Sequence, residues 1–485
     1  MTGAYTEFTR TACRPSIEVN QLFWIILKPS ISVRHPRATL VAAALGFVVV
    51  LLDVSVVNVA LEALRQEFGA DVSGLQWVLN AYTLVFAALL LTSGALGDRF
   101  GARRVFIFGF VLFTLASGAC GLAPNLSALV AARVIQGLGA ALLVPNSLSM
   151  LQQAFPDREQ RSRAVGWWGA IGGISLAAGP VLGGLLITHT GWRSIFLINL
   201  PVGLIGLFLA LRHTAPGSAG HRRNLDLPGQ VAIISALAAL TVALTEAGRL
   251  GWQHPWVQGG LLLALVAAIS FVRIELRSQA PMLPLGLFRI PTFTVASLAG
   301  VVVNFAYYGL IFVFSLFFQI EQQLSPQQAG LAFLPMTIVL MAVNVIAGRL
   351  ITRMGARRLM VLGLALAACG YLMLLPVSID GSYWMLVVPM LLAASGVALT
   401  VPTMTNATLS SVDASRAGIA SGVLNSARQI GGMLGVAVFG YLVRDTAPEP
   451  FMRGMHWSLG ISVALLLAGS LMCLFGIQKD RTQPA

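Results

Sequence analysis

Two ionisable residues inside otherwise apolar segments are the first candidates for chemistry in this sequence. Asp53 lies about fourteen residues into the first apolar segment, and Arg133 lies about six residues into the fourth, which runs the opposite way. At 1.5 Å per residue, both fall in the outer half of a membrane at similar depth. Desolvation penalises a buried carboxylate and a nearby cation favours it, so such a pair can titrate as water enters and leaves. We therefore expect proton coupling at Asp53, with a structural acid or a contact to a cationic substrate as alternatives.

Other polar or aromatic residues in apolar segments have less specific patterns. Arg133 can equally form a structural ion pair or donate to carbonyl groups of a neighbouring helix. Arg428 lies near the middle of the thirteenth segment and suits an anion or a carbonyl group as partner. Asn304, Tyr308 and Phe312 recur at four-residue intervals, which places them on one helical face. That stripe predicts a pocket for flat lipophilic substrates, although aromatic stripes also serve helix packing.

The composition indicates that a bilayer surrounds the helices that carry these residues. Of the 485 residues, 57% are hydrophobic and only 10% are charged, against about 25% charged in a soluble domain. A membrane-spanning helix needs about 20 apolar residues. The sequence predicts an all-α integral membrane protein with fourteen such spans, near residues 39–61, 75–96, 104–123, 127–149, 163–187, 194–211, 227–247, 256–274, 292–319, 328–350, 358–377, 384–404, 418–443 and 456–477.

The distribution of basic residues predicts the orientation. The formal net charge is +13, but the lysines and arginines lie in short connections and not on one face, so we expect membrane topology and no nucleic acid partner. Twenty-four of the 31 fall on one side of the predicted membrane and five on the other, with Arg133 and Arg428 inside spans. Because cytoplasmic connections carry the excess of lysine and arginine, both termini are predicted to be cytoplasmic in a plasma membrane protein.

Several chemistries find no support in the sequence. The four cysteines are scattered without paired or metal-ligand spacing, and the six histidines lie in tails, loops or at span edges. There is no glycine-rich phosphate loop after a strand. We therefore expect no cofactor, no metal and no enzymatic activity, and an ion gradient as the driving force. Sodium remains an alternative to protons.

An internal repeat divides the chain. The segment 94–104 returns as the segment 348–358 at an offset of 254, with seven of eleven positions identical. The two halves then have the same orientation, which is typical of transporters that rock about a central site. The predicted organisation is an N-terminal tail, a six-helix bundle, a cytoplasmic linker, a two-helix insert with its connecting loop, a second six-helix bundle and a C-terminal tail, at 1–38, 39–211, 212–226, 227–291, 292–477 and 478–485.

The first repeated loop predicts a conformational latch. An acid and several arginines stand between glycines that permit a sharp turn, namely Gly94, Asp98, Arg99, Gly101, Arg103 and Arg104. Asp98 is suited to a helix N-terminus, where a carboxylate gains about 0.3 to 1 kcal/mol. The arginines are suited to headgroups and carboxylates. The alternative is a plain topology signal, which does not by itself require the same spacing twice.

A glycine-rich segment of the fifth span predicts a hinge. Gly179, Pro180, Gly183 and Gly184 carry no reactive group, so their contribution has to be geometric. Small residues let helices approach closely, and proline removes a helical hydrogen bond and permits a bend. We expect a hinge that prevents leaks, with generic helix packing as the alternative.

These segments together resemble the major facilitator superfamily, and within it the fourteen-span drug:proton antiporters. The loop at 94–104 resembles the superfamily's signature loop, and four further segments resemble motifs of the antiporters' first, fourth, fifth and sixth spans, at 52–61, 133–141, 179–184 and 192–201. The second half matches more thinly, at 348–358 and 427–432. Two departures are Glu62, where the family usually has proline, and Thr352, which replaces the acid of the second loop.

The resemblance implies a major facilitator fold of two six-helix bundles with two extra central helices. It also implies export of small lipophilic compounds in exchange for protons. The expected partners are this substrate, protons and the lipid bilayer, and the expected functional unit is a monomer. A dedicated exporter or importer of one endogenous metabolite or lipid is a competing function. A membrane sensor or enzyme without transport is another.

Overall fold

The computed structural model describes residues 35–214, 226–278, 281–379, 381–413 and 416–478. Most of the predicted tails at 1–38 and 478–485 and of the linker at 212–226 lies outside these ranges. Within them the regular elements are all helical. The α-helices are α1 (Pro36–Val59), α2 (Leu61–Phe68), α3 (Val72–Phe100), α4 (Ala102–Gly121), α5 (Leu126–Ala154), α6 (Arg158–Thr190), α7 (Ser194–Leu197), α8 (Asn199–His213), α9 (Leu227–Leu250), α10 (Pro255–Arg277), α11 (Pro291–Leu316), α12 (Pro326–Ala332), α13 (Leu334–Met354), α14 (Ala356–Met373), α15 (Trp384–Ser410), α16 (Ala417–Leu442) and α17 (Pro448–Gly476). A 3₁₀ turn (Leu285–Arg289) precedes α11, and a π turn (Phe317–Glu321) follows it.

Polar caps fix where several of these helices begin. The side chains of Asp71, Asn125 and Asp157 each accept a hydrogen bond from a backbone N–H in the first turn of α3, α5 and α6. Ser325 and Gln328 form a reciprocal capping box at α12. Such caps satisfy backbone donors that have no partner inside the helix.

Thirteen helical segments among the described residues are long and apolar enough to cross a membrane. The predicted thirteenth span also forms a helix, α16, with 26 residues. It is not among the thirteen, and it carries Asn425, Arg428 and Gln429 near its middle. The protein is therefore a multi-pass membrane protein, and the count of fourteen spans stays a prediction.

The outer end of the first span differs from the expectation. The span was predicted to continue to residue 61, but α1 ends at Val59, and the short helix α2 follows after Ala60. Glu62 lies in the first turn of α2, where its carboxylate accepts hydrogen bonds from Arg65 at 2.7 and 2.9 Å. This local ion pair and a left-handed Gly69 at the end of α2 support a separate polar helix outside the span.

The repeat seen in the sequence recurs in the helix packing. In the first half α1 packs against α6 and α8, and α5 packs against α3 and α4. In the second half α11 packs against α16 and α17, and α15 packs against α13 and α14. The repeated loops turn at equivalent glycines, Gly101 with φ 93° and Gly355 with φ 77°, a backbone region that favours glycine. The two halves are therefore parallel repeats of one arrangement.

The halves meet along two seams, one between α3 and α16 and one between α6 and the α12–α13 pair. The two extra helices, α9 and α10, pack against each other. Of these two, α9 also packs against both α3 and α16, so the extra pair covers the first seam.

The seams are packed unequally at the two ends of the bundle. We call the end with the loops at 98–104 and 353–358 the basic end, and the opposite end the far end. At the far end Gln76 Nε2 donates to the carbonyl oxygens of Val436 and Ala437, both at 2.8 Å across the first seam. Toward the basic end, Gly94 and Gly348 on the seam helices have no heavy atom of another helix within 4 Å of the position that a Cβ would take. The seam helices are therefore less closely packed at these two positions toward the basic end.

Candidate functional site

The structure brings the two predicted ionisable residues together. Asp53 on α1 and Arg133 on α5 are 0% and 1% exposed, and the Arg133 guanidinium donates a charge-assisted hydrogen bond to the Asp53 carboxylate. Two helices that run in opposite directions thus present these residues at one depth. Since a buried charge is costly unless it is paired, each residue stabilises the charged form of the other.

A ring of amide and hydroxyl groups completes this pair. Gln136 Nε2 donates to Asp53 Oδ1 at 2.8 Å and to Ser117 Oγ at 3.2 Å, while its Oε1 accepts from Arg133 at 2.7 Å. Asn199 Nδ2 donates to Ser117 Oγ at 3.0 Å and approaches Asp53 Oδ1 at 3.4 Å. The network joins α1, α4, α5 and α8. A change in the charge of Asp53 therefore alters hydrogen bonds that connect four helices of the first half.

The remaining donors and the flat face of Arg133 lie against α3 and α7. Arg133 Nε donates to the carbonyl oxygen of Val78 at 3.1 Å. Its guanidinium lies 4.2 Å from the ring centroid of Tyr82 and 5.8 Å from that of Phe196. Aromatic faces attract a guanidinium, so these rings hold the cation beside the acid.

Sequence reasoning did not identify Gln136, Ser117, Asn199 and Tyr82 as members of the site. A partial signal was present, because Gln136 follows Arg133 at the i,i+3 spacing that places two side chains on one helical face. Asn199 also lies within the sixth-span segment that carries the family resemblance. Ser117 and Tyr82 carry no comparable signal, since such residues are common in membrane helices.

A narrow cleft with a cavity volume of about 20 Å³ lies between the halves next to this network. It is lined by Val54, Asn58, Leu79, Asn80, Tyr82, Thr83, Arg133, Tyr308, Gln429, Gly432 and Val436. Arg133 is part of the wall and Asp53 is not. A solute in the cleft therefore meets the guanidinium first, and the carboxylate lies behind it.

The predicted pocket residues of the second half are placed unequally. Tyr308 lines the cleft, whereas Asn304 donates to Gly300 O of its own helix at 2.8 Å and Phe312 is 0% exposed within the core. Arg428 is an electrostatic neighbour of Tyr308. Its Nε atom has no hydrogen-bond partner among the described residues. The stripe thus contributes one residue to the cleft, and the Nε atom of Arg428, within electrostatic range of that residue, lacks a hydrogen-bond partner among the described residues.

Arg103 of the predicted latch loop is fixed to the end of α8. Its side chain is buried and donates to the carbonyl oxygen of Leu211 at 2.7 Å and to Thr214 Oγ1 at 2.8 Å. These acceptors lie at the C-terminus of a helix, where a cation is favoured. The left-handed Gly101 makes the turn that brings Arg103 there.

The acid of the same loop is free in this conformation. Asp98, Arg99 and Arg104 are exposed. Asp98 has no hydrogen bond or ion pair within the described part of the chain, and Arg99 lies over the ring of the adjacent Phe100 at 5.4 Å. A latch that closes the basic end is expected to be open when that end is open.

The glycine-rich segment of α6 faces two neighbours at once. The helix runs without a break over 33 residues with Pro180 inside it. Gly179 and Gly183 face α1, where a Cβ on Gly183 would lie 2.6 Å from Val56 Cγ2. Gly184 faces the first turn of α12 across the second seam. These glycines therefore permit close packing at the far end, and their role as a hinge stays a prediction.

Comparison with known proteins shows which family and which relatives the chain is similar to. The profile of the Major Facilitator Superfamily matches residues 43–436. A methylenomycin A resistance protein of Streptomyces coelicolor is 38% identical over 440 residues, which are 91% of each chain. The multidrug resistance protein Stp of Mycobacterium tuberculosis is 39% identical over 84% of this chain and 76% of its own.

Solved structures share the fold at lower identity. A D-xylose–proton symporter superimposes with a TM-score of 0.66 at 14% identity and covers 92% of this chain and 98% of its own. A bacterial homologue of the human lysosomal transporter Spinster, in an inward-facing and unoccupied conformation, has a TM-score of 0.66 at 17% identity over 92% of this chain and 99% of its own.

Proposed function

The chain belongs to the Major Facilitator Superfamily, and we propose that it exports small lipophilic compounds in exchange for protons. Relatives that are 38% and 39% identical are named as resistance proteins, one for methylenomycin A and one for multiple drugs. Relatives of this kind support export as the direction of transport. We place the protein in the plasma membrane as a monomer with the basic end and both termini in the cytoplasm.

The observation that carries this proposal is the buried pair of Asp53 and Arg133 behind the wall of the cleft. The acid lies deep in a membrane protein, is held by three side-chain donors, and is separated from the cleft by Arg133. Ionisable groups at such depth are functional candidates, because the membrane makes their charge expensive.

The geometry suggests how a proton is exchanged for a substrate. With Asp53 ionised, the pair is neutral overall, and the guanidinium in the cleft wall is bonded to the carboxylate behind it. When the cleft is open to the outside, a proton that reaches Asp53 neutralises the carboxylate and leaves Arg133 with an uncompensated charge. That charge alters the wall next to the substrate, which favours release outward. Return to the inward-open state lets the proton leave, and the pair forms again.

Alternation between these states requires the basic end to close. We assign Asp98 to that step, because it is free in this conformation and stands on a seam helix, α3. When the seams close, the carboxylate approaches a helix N-terminus of the second half, where the helix dipole favours a negative charge. Arg103 keeps the loop attached to α8 meanwhile.

Proteoliposomes with an imposed pH gradient test the proposal. Wild-type protein should accumulate methylenomycin A against its concentration gradient. Asp53→Asn should lose uphill transport and keep downhill exchange in the protein that inserts, since the side chain keeps its shape and Arg133 keeps Gln136 Oε1 and Val78 O as acceptors. Glu159→Gln is the control, because Glu159 pairs with Arg163 on the exposed surface. Uphill transport by Asp53→Asn at wild-type rate and matched insertion would contradict the assignment of Asp53. Wild-type protein that responds to no gradient for a panel of lipophilic antibiotics would contradict export itself.

A further inference from the structure

The two extra helices enclose a second cavity, which shares no residue with the central cleft. Its cavity volume is about 240 Å³, close to the lower end of the range of about 300 to 1,000 Å³ that is usual for small-molecule pockets. The cavity lies between the first seam, the inner faces of α9 and α10, and the first turns of α11. It is displaced toward the basic end, since its residues on α11 lie among the first eleven of that helix.

The lining is almost entirely apolar. Each of the surrounding helices contributes aliphatic or aromatic side chains, among them Ala88, Leu237, Phe271, Val301, Val423 and Ile430. The lining contains no charged side chain. A ligand with an apolar body therefore fits this cavity, and an ion or a sugar does not.

Three hydroxyl groups interrupt the apolar lining, and one of them is unsatisfied. Thr294 donates to the carbonyl oxygen of Phe288 at 2.7 Å, and Ser426 donates to that of Ala87 at 3.3 Å. Ser297 is only 4% exposed, yet its Oγ atom has no hydrogen-bond partner among the described residues. Because a buried polar group without a partner costs free energy, Ser297 is expected to bond a polar atom of a ligand.

One side of the cavity reaches the outer surface of the bundle. Leu298 and Phe288 both line the cavity and remain 44% and 37% exposed. Leu298 lies in α11, which is long and apolar enough to cross a membrane, and we infer from this that the surface next to it faces the bilayer. A molecule dissolved in the lipid can therefore reach the cavity without passing through the water at the basic end.

The walls of the cavity belong to both halves. The insert is fastened to the first half, since Gln230 Nε2 donates to Ala88 O at 2.8 Å and Trp77 Nε1 donates to Glu246 Oε1 at 3.0 Å. The opposite walls, on α11 and α16, belong to the second half. A rocking motion of the halves therefore changes the volume of this cavity as well as that of the cleft.

We propose that this cavity is an access site, in which a neutral lipophilic compound with one hydrogen-bonding group is taken from the bilayer and held at Ser297. The volume, the apolar lining, the unsatisfied hydroxyl and the mouth toward the lipid all select such a molecule. A phospholipid is a poorer occupant, because the lining has no cation for its phosphate. The role of the site in transport rests on the export function proposed above, but binding of the compound does not.

Binding of N-phenyl-1-naphthylamine to the purified full-length protein in nanodiscs tests the site. This probe is neutral and lipophilic, has one N–H group, and becomes fluorescent in apolar surroundings. Leu237→Trp fills the cavity from α9 and should weaken binding at least tenfold. Val231→Trp is the matched control on the same helix, where the side chain is 63% exposed and outside the cavity, and it should bind as the wild type does. Ser297→Ala keeps the volume and should weaken binding about fivefold through loss of one hydrogen bond.

Each outcome decides the matter. Equal affinity of the wild type, Leu237→Trp and Ser297→Ala overturns the site. If Leu237→Trp does not fold, the result for Ser297→Ala stands alone, and unchanged affinity there overturns the site. A phospholipid that co-purifies with the wild type, is lost in Leu237→Trp and cannot be displaced by the probe also overturns it. Probe binding that depends on Leu237 and Ser297 in a protein without uphill transport supports the site and rejects only the export function.

Discussion

The two halves share their helix packing but differ in the side chains that they place at equivalent depths. Asp53 and Tyr308 each lie seventeen residues beyond the first proline of their helices, α1 and α11. Arg133 and Leu391 each lie seven residues beyond the first residue of α5 and α15. The first half therefore has a charged pair where the second half has an aromatic ring and an aliphatic side chain.

This difference indicates which features the repeat requires and which are free to change. Close contacts are kept in both halves, since Gly183 faces α1 as Gly435 faces α11, and Gly101 turns the first loop as Gly355 turns the second. The chemistry is not kept. We infer that the first half handles the proton and that the second half supplies the surface against which a substrate lies.

The largest expected effect comes from breaking the charged pair on one side only. Arg133→Gln leaves Asp53 buried without its cation, which should destabilise the fold by about 3 to 5 kcal/mol and lower uphill transport by about two orders of magnitude. The double variant with Asp53→Asn should regain much of the stability but not the transport. Thermal unfolding of the purified proteins and gradient-driven transport measure the two effects.

The matched control for this cycle is Arg163→Gln. Arg163 forms an exposed pair with Glu159, with side chains 73% and 75% exposed, and exposed pairs contribute about 0 to 1 kcal/mol. If the double variant were no more stable than Arg133→Gln alone, the ion pair would not be what offsets the free-energy cost of burying the two charges.

A smaller effect is expected at the acid of the first repeated loop, and a smaller one still at Thr352, which replaces it in the second. Asp98→Asn should lower the maximal transport rate about tenfold while expression stays near the wild-type level, because a neutral side chain loses its interaction with a helix N-terminus, worth about 0.3 to 1 kcal/mol or more when partly buried. Thr352→Ala at the equivalent position should stay within about twofold, since its hydroxyl only bonds Arg349 O of the same helix at 2.8 Å.

Transport assays at matched expression compare the two loop variants. Equal losses in both would mean that the loops act as a symmetric pair. Unchanged transport by Asp98→Asn would mean that the first loop is a topology signal only.

Much of the fold was predictable because membrane helices follow a simple rule of length and apolarity. The same rule explains why Asp53 and Arg133 could be paired, since a rise of 1.5 Å per residue converts sequence position into depth. It was wrong where the short polar helix α2 lies outside the first span, and the membrane crossing by α16, which carries Asn425, Arg428 and Gln429 near its middle, stays a prediction. Neither feature produces a long apolar run.

The rest of the site depended on contacts that one-dimensional patterns do not contain. Ser117, Gln136 and Asn199 lie on three different helices and become one network only because those helices converge on Asp53. The cavity beside the insert is less visible still, because its apolar lining has the same composition as a lipid-facing surface. Only the position of a residue in the bundle, and not its type, distinguishes the cavity lining from a lipid-facing surface.

An effect smaller than that of Asp98→Asn is expected at Arg428, which has no charged counterpart in the first half. Arg428→Gln should raise the KM for substrates with a carbonyl or anionic group about fivefold, since a hydrogen bond to a charged group is worth about 1.5 to 3 kcal/mol and part of it is retained by glutamine. Arg428→Lys should lie between the variant and the wild type. The ratio of protons to substrate should not change in either variant, and a changed ratio would move proton handling into the second half.

The smallest effect is expected where the comparison is most direct, at Tyr308. This residue lies at a depth similar to that of Asp53, lines the cleft and is within electrostatic range of Arg428. If the second half supplies only a surface, Tyr308→Phe removes one hydroxyl from that surface and keeps the ring, so KM should change about twofold at most for a compound held by apolar contact. The dependence of transport on the pH gradient should be the same as in the wild type. Measuring transport at several imposed pH gradients separates the KM from the proton coupling. A loss of coupling makes the transport rate less dependent on the pH gradient. A weaker surface contact leaves that dependence unchanged and only raises the substrate concentration needed for half-maximal transport. A flattened dependence in Tyr308→Phe, similar to that expected for Asp53→Asn, would mean that the tyrosine hydroxyl carries protons, and the division of labour between the halves would then be wrong.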